Sequence, residues 1–362
     1  MAKTIIIASG GTGGHLYPTI AIADEIKQID PDTRVVFVGT GDRIEAREVP
    51  RAGYEFYPIS IEAPRKSVGS MIKFPFTMLK AIIDCIGIIG KTEATAFLGG
   101  GAYLSVPVGI AAWIKGLRFG LLEINSIGGS ANKLLSRFAK RIFLAYPESK
   151  KDFANASSIL EISGTPVRHN LGAELNAQEA RQSFGVDPEK PTVLAFGGSL
   201  GAKAINEAML NASVALSDRG YNVIWQTGKS ADVAELKNKV QSQNVHIAEY
   251  IFQMDKAYTA ADLVVARAGA STLAELSQIG KAAILVPYPF AADNHQEHNA
   301  RAYEQEGAAI VLRDQELNDK LLPAIEGLMA DGSRRENMAQ SMKKRENKRA
   351  ARIVAEWLLA SS

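Results

Sequence analysis

Two stretches of this 362-residue chain share one design. "IIIASGGTGGH" (5–15) and "VLAFGGSLGAK" (193–203) each join an apolar run to a glycine-rich turn carrying a hydroxyl residue, and then to a helical pattern. A strand handing over to a helix through a glycine turn is the opening of a doubly wound α/β unit. Meeting it twice, about half a chain apart, predicts two such domains, which also suits the length at ~100–200 residues per domain.

The remaining pattern agrees. The first half predicts strands at 4–9, 34–39, 94–99, 118–123, 141–145 and 158–163. The second predicts them at 192–196, 222–226, 244–250, 262–267, 282–287 and 308–313. Several lack polar alternation, as expected of parallel strands covered by helices on both faces. Ile205, Ala208, Met209, Ala212 and Leu216 follow helical spacing on one face. Pro18 suits a first helical turn, where its missing N–H costs nothing. "SGTPVRHN" (163–170) punctuates the halves, which places the domains at 1–164 and 165–340. The stretch from about Arg335 to Leu359 reads as helix, with the charge run 343–352 as a solvated face.

Composition excludes some classes. Hydrophobic residues at 46% and charged ones at 22% describe a globular chain, and a net charge of +2 gives no reason to expect a nucleic-acid partner. The one cysteine, Cys85, rules out an intramolecular disulfide and suits a reducing compartment. The apolar run at 4–8 is too short for a secretory leader. The apolar region 71–90 is broken by Lys73, Pro75, Lys80 and Asp84, so no spanning helix is expected.

A strand-to-helix glycine turn presents bare backbone N–H groups, which makes it either an anion site or simply a tight turn. A dinucleotide fingerprint fails, because Leu16 stands where its third glycine belongs and no acidic residue closes the second strand. A Walker loop fails too, since Lys203 has neither a glycine before it nor a hydroxyl after it. What remains is a nucleoside diphosphate carried on another group, with donor and acceptor between two facing domains. Five scattered histidines and no Cys/His cluster speak against a metal centre, and "DPD" (30–32) reads as a turn.

Eight motifs in order carry a resemblance: "GGTGGHLYP" (10–18), "GTGDRIEAREVP" (39–50), "GGGAYLSVP" (99–107), "EINSIGG" (123–129), "GTPVR" (164–168), "GGSLGA" (197–202), "RAGASTLAE" (267–275) and "DNHQEHNA" (293–300). Together they resemble the MurG-type enzymes of glycosyltransferase family 28, which have two Rossmann-like domains facing a cleft (the GT-B fold). The resemblance implies inverting, metal-independent transfer of N-acetylglucosamine from UDP-N-acetylglucosamine to lipid I, an undecaprenyl-linked acceptor, giving lipid II. It implies no cofactor, a peripheral place on the anionic cytoplasmic face of the inner membrane, and a C-terminal helix (about 341–362) packed on the first domain.

It also implies roles. His15 and Glu123 are the catalytic candidates, and a histidine titrating near neutral pH suits a base for the acceptor hydroxyl. Thr12, Gly13, Gly14, Tyr103 and Asn125 would face the acceptor. Ser199 and Arg168 would hold the donor diphosphate, with a helix N-cap and a surface ion pair as their plain readings. Glu275 would accept both ribose hydroxyls, as an acceptor-only carboxylate can. Ala270, Ser271, Thr272, Leu273 and Ala274 would line ribose and sugar. The Ile251 backbone would pair with the uracil edge, Tyr250 pack on its ring, and Gln296 and Asn206 meet the sugar. Leu122 and Ile124 depart from the family's His-Glu-Gln-Asn stretch, Ala102 from its Gly-Gly-Tyr, and His295 from its paired glutamines.

"RKSVGSMIKFPFTMLK" (65–80) mixes Met71, Ile72, Phe74, Phe76 and Leu79 with Arg65, Lys66, Lys73 and Lys80. That composition suits either an interfacial membrane element or core packing with snorkelling lysines. Three other functions fit the same turns: transfer to another lipid such as diacylglycerol, a UDP-N-acetylglucosamine 2-epimerase, and a non-catalytic UDP-sugar-binding module.

Overall fold

A computed structural model describes residues 3–61, 68–168, 171, 176–291 and 294–360, with the backbone alone at 68–73. The chain divides into two units, residues 1–168 with 347–362, and residues 169–346. Both boundaries fall a few residues later than the sequence pattern places them.

The first unit runs β1 (Thr4–Ala8), α1 (Gly13–Ile29), β2 (Arg34–Thr40), α2 (Ile44–Arg51), β3 (Glu55–Ile59), α3 (Val68–Thr92), β4 (Ala96–Gly99), α4 (Ser105–Ile114), β5 (Arg118–Glu123), α5 (Ser130–Leu135), β6 (Arg141–Leu144) and β7 (Leu160–Ile162). Its sheet order is β3-β2-β1-β4-β5-β6-β7, every pair parallel. Residues 5–8 of β1 show why the strand pattern lacks alternation. Ile5 and Ile7 join one apolar layer and Ile6 and Ala8 the other, all fully buried.

The second unit runs α6 (Ala177–Ser183), β8 (Thr192–Phe196), α7 (Lys203–Asp218), β9 (Asn222–Gln226), α8 (Val233–Val240), β10 (Val245–Ala248), α9 (Met254–Ala260), β11 (Leu263–Arg267), α10 (Ala270–Ile279), β12 (Ala283–Val286), α11 (His295–Gln305), β13 (Ala309–Val311), α12 (Leu317–Ala330) and α13 (Gly332–Lys343). Its parallel sheet is ordered β10-β9-β8-β11-β12-β13. The face of α7 read from the sequence is its buried face. Two doubly wound parallel sheets are therefore present, as expected.

Three local expectations need correction. β3 was not expected: it is an edge strand containing Pro58 and partly exposed side chains, so neither apolar continuity nor alternation marks it. Pro18 is the sixth residue of α1, not part of its first turn. The C-terminal helix is broken. α13 ends at Lys343 and α14 (Ala350–Leu359) begins afresh. In the break the Asn347 side chain donates to the Ser163 carbonyl at 2.7 Å and accepts from Arg349 N at 3.1 Å. α14 returns to the first unit, where Val354, Ala355 and Leu358 share an apolar layer with Ile22 and Ile26 of α1. Trp357 meets Phe143 edge-on at 5.6 Å, and only a glycine at 120 leaves room for its ring. "DPD" is a turn, in which Asp30 accepts from Asp32 N and Thr33 Oγ1.

Candidate active site

In each sheet the strand order reverses beside the strand that carries the glycine turn. Ligands of open α/β sheets sit outside the carboxyl ends of strands at such a switch point. In the first unit it lies between β1 and β4, and His15 spans it. The His15 Nδ1–H donates to the Gly100 carbonyl, just past β4, at 2.9 Å. A carbonyl only accepts, so in the neutral ring Nδ1 keeps the proton and Nε2 carries the lone pair. His15 is the third residue of α1, whose N-cap is Thr12, so it does not cap the helix. Ser9 Oγ donates to the His15 carbonyl at 2.7 Å, which fixes the backbone beneath the ring.

The turn itself, 10–14, needs glycine at 11, where φ is +82°. Thr12 makes no side-chain cap, so the first N–H groups of α1, at Gly13 and Gly14, have no hydroxyl on them from that residue. Glu123 is buried at the end of β5, with both oxygens engaged. Oε1 accepts from Asn125 N (3.0 Å) and Asn125 Nδ2 (3.1 Å), and Oε2 from Gly129 N (2.8 Å) and Asn132 Nδ2 (3.0 Å). Four donors on one buried carboxylate make it the organiser of the 123–132 turn. Tyr103 packs its ring on Phe74 at 6.3 Å. Arg168 lies in this first unit, its guanidinium over the Tyr17 ring at 4.8 Å.

In the second unit the switch point lies between β8 and β11. Ser199 sits in the turn after β8, three residues before the α7 N-cap, Ala202, so it is not that helix's cap. Gly201 (φ +84°) and Gly228 (φ +74°) interlock, backbone against backbone, and Lys229 N and Ser230 N donate to the Ser199 and Leu200 carbonyls. A Cβ at 201 would overlap the Thr227 carbonyl. Gly201→Ala is therefore expected to destabilise this unit by about 2–5 kcal/mol, read as a lower unfolding midpoint in urea.

Asn206 is buried and committed: Nδ2 donates to Thr227 O at 2.9 Å, and Oδ1 accepts from Trp225 Nε1 at 3.1 Å. Ile251 N donates to Gln226 Oε1 at 2.9 Å, which leaves its carbonyl as the backbone group not spent on that bond. Tyr250 is half-buried and stacks edge-on against exposed Phe252 at 4.9 Å, rather than lying in the core. Gly269 caps α10 without a side-chain bond, so the N–H groups of Ala270, Ser271 and Thr272 open that helix beside the turn after β8. Leu273 is fully buried and can offer only backbone, while Ala274 and Glu275 are half-buried. Glu275 Oε2 accepts from Tyr258 OH at 2.7 Å. Gln296 Oε1 accepts from Tyr288 N at 3.0 Å, just past β12. The structure thus gathers the acceptor candidates along one sheet's carboxyl edge, with Arg168 in that same unit, and the other donor candidates along the second sheet's edge. Among the described residues no group of three His, Cys, Asp or Glu side chains is placed to hold a metal ion.

Comparison with known proteins gives the lineage. The glycosyltransferase family 28 N-terminal domain matches residues 5–144, and the C-terminal domain of the same family matches residues 192–354. A relative from Salinibacter ruber, the UDP-N-acetylglucosamine–N-acetylmuramyl-(pentapeptide) pyrophosphoryl-undecaprenol N-acetylglucosamine transferase, is 38% identical over 99% of this chain and 97% of its own. The chain belongs to glycosyltransferase family 28. Among solved structures, Acinetobacter baumannii MurG aligns with a TM-score of 0.71 at 27% identity over 99% of both chains. A UDP-GlcNAc 2-epimerase from Neisseria meningitidis aligns at 0.70 with 14% identity, over 99% of this chain and 100% of its own, a likeness of fold alone.

Within this family 28 fold, several residues that position the edges escaped the sequence reading. Glu45 is fully buried and accepts from Gly11 N (2.9 Å), Thr40 N (3.0 Å) and Thr40 Oγ1 (2.7 Å), pinning the first glycine turn to β2. Gln226 ties the second turn to the 251 loop, donating to Gly198 O at 3.2 Å. Asn132 is buried and supports both Glu123 and the Leu122 carbonyl. Arg267 pairs with Asp314, donates to the Pro287 carbonyl at 3.0 Å and lies over Tyr288 at 5.6 Å, supporting the loop that Gln296 grips. Glu45 and Arg267 stand inside quoted motifs, but the bonds by which they hold distant elements, to Gly11 and Asp314, span 34 and 47 residues and leave no local signal.

Proposed function

We propose that this chain transfers N-acetylglucosamine from UDP-N-acetylglucosamine to N-acetylmuramyl-(pentapeptide) pyrophosphoryl-undecaprenol, turning lipid I into lipid II. The observation that carries this reading is the full-length relation, at 38% identity, to a transferase of that name. The His15 geometry supports it chemically. The acceptor hydroxyl, the muramoyl C4 hydroxyl, attacks the anomeric carbon opposite UDP. The new C–O bond forms as the bond to the diphosphate breaks, the hydroxyl proton passes to His15 Nε2, and UDP leaves with the electron pair. The Gly10–Gly14 turn takes the acceptor pyrophosphate. Ser199, the α10 N-terminus, Glu275 and Gln296 take the donor, and fixed donors aimed at the leaving diphosphate stabilise its growing charge without reorganising. Glu123 orients Asn125 rather than carrying the proton itself. Label from UDP-[¹⁴C]GlcNAc should reach a lipid I analogue in the presence of EDTA. Equal labelling of diacylglycerol, or hexosamine epimerisation without acceptor, would overturn the reading.

The acceptor's lipid tail implies a visit to the membrane, and α3 supports one. Ala81, Cys85 and Ile89 bury one face of it, while Phe76, Leu79 and Ile83 stand exposed on the rest. Phe74 is half-buried on Tyr103. Arg65 and Lys66, and the side chains of Met71, Ile72 and Lys73, lie outside the described residues. No helix among the described residues is long and apolar enough to cross a membrane. Peripheral association on the cytoplasmic face is the reading these features support. Flotation should show binding to vesicles with anionic lipid at about 20 mM salt and release near about 0.5 M. A Phe76→Ser/Leu79→Ser variant that floats like wild type would remove α3 from the interaction.

A further inference from the structure

We propose that Tyr258 is a positioning residue of the donor site, holding the Glu275 carboxylate in the one orientation that accepts both ribose hydroxyls. The inference rests on the reading of Glu275 as the ribose-binding carboxylate. Tyr258 is completely buried on α9, and its hydroxyl donates to Glu275 Oε2 at 2.7 Å. Its ring meets Phe196 edge-on at 6.0 Å. Phe196 is the last residue of β8, immediately before the Gly197 turn that carries Ser199. One rigid side chain therefore touches the carboxylate on one side and the root of the diphosphate turn on the other.

The chemistry explains what such a contact does. A glutamate's last torsion is a broad, soft well, so a half-exposed carboxylate turns about its own axis at little cost. A vicinal diol presents two O–H donors in a fixed relation, and only one carboxylate orientation accepts both. An ionised carboxylate has about four lone-pair positions. A bond from a buried phenol to Oε2 occupies one of them and restricts the rotation of the carboxylate plane. Fixing that plane before the ligand arrives lowers the ordering cost of binding. The effect acts on recognition of the ribose hydroxyls, not on the bond-breaking step.

The test is calorimetric titration of the full-length protein with UDP and with 2′-deoxy-UDP, for wild type, Tyr258→Phe and Glu275→Gln. Wild type is expected to prefer UDP by about 10-fold or more, as suits hydrogen bonds to a charged group. Y258F should bind UDP about 10-fold more weakly and 2′-deoxy-UDP within about 2-fold of wild type, compressing the preference. In transfer assays the donor KM should rise while kcat stays within about 2-fold. Equal weakening of both nucleotides, an unchanged preference, or a Y258F chain that loses its circular dichroism and cannot fold would assign the hydroxyl a purely structural role and overturn the proposal. A wild type that does not distinguish the nucleotides, or an E275Q variant that keeps the preference, would instead overturn the ribose reading of Glu275, and the proposal with it.

Discussion

His15→Ala is expected to lower kcat by about 10²–10⁴-fold while the protein stays folded and binds UDP as wild type does. The size follows from losing a general base whose lone pair is placed by a bond to a carbonyl. Because Gly100 O can only accept, the His15 ring cannot flip its tautomer without giving up that 2.9 Å bond. His15→Asn separates the two roles of the ring. An asparagine amide can still donate toward Gly100 but offers no basic nitrogen. Should H15N transfer at near wild-type rate, the residue would be a strut of the β1–β4 junction and the base would lie elsewhere. A loss as deep as in H15A, with UDP affinity and unfolding midpoint retained, would place the proton on Nε2.

Glu123 carries the second large effect, of a different kind. Replacing it with alanine or glutamine is expected to destabilise the first unit by about 3–5 kcal/mol, lowering its melting temperature by roughly 10 °C. Alanine leaves Asn125 N, Gly129 N and both side-chain amides without the acceptor they share. Glutamine turns an N–H₂ group toward one pair of those donors, which repel it. Activity should fall with stability, because the 123–132 turn loses its shape. An E123Q variant that melts like wild type and loses rate alone would overturn the organising role and point to Glu123 as the base. Differential scanning calorimetry beside the transfer assay decides between these outcomes, and it also tests why the family candidate Asn125 stands where it does.

Much of the architecture could be read locally. Twelve of the thirteen strands among the described residues fall in short runs bounded by turn residues, and for the strands inside each sheet burial on both faces is what makes those runs continuously apolar. β3 was hidden because an edge strand needs neither continuity nor alternation and tolerates Pro58. The C-terminal helix was read as one because its charge run keeps helical composition through 344–349. The break comes from Asn347 reaching Ser163, a partner 184 residues away.

For the site, the division follows the same physics. Sequence alone determined the two glycine turns, the residue types at each carboxyl edge and the membership of the family, since turn geometry and motif order depend on neighbours along the chain. Tertiary structure alone decided which of those residues are already committed. Glu123, Asn206 and the Ile251 N–H are held by internal partners, Arg168 lies with the first unit, and Tyr258 is anchored to Glu275. The partners of Asn206, Ile251 and Tyr258 stand 17 to 25 residues away and carry no signature in either local stretch, because the packing of strands and helices sets their distance; the partners of Glu123 lie within nine residues, and there only the folded turn shows that all four bonds converge on one carboxylate.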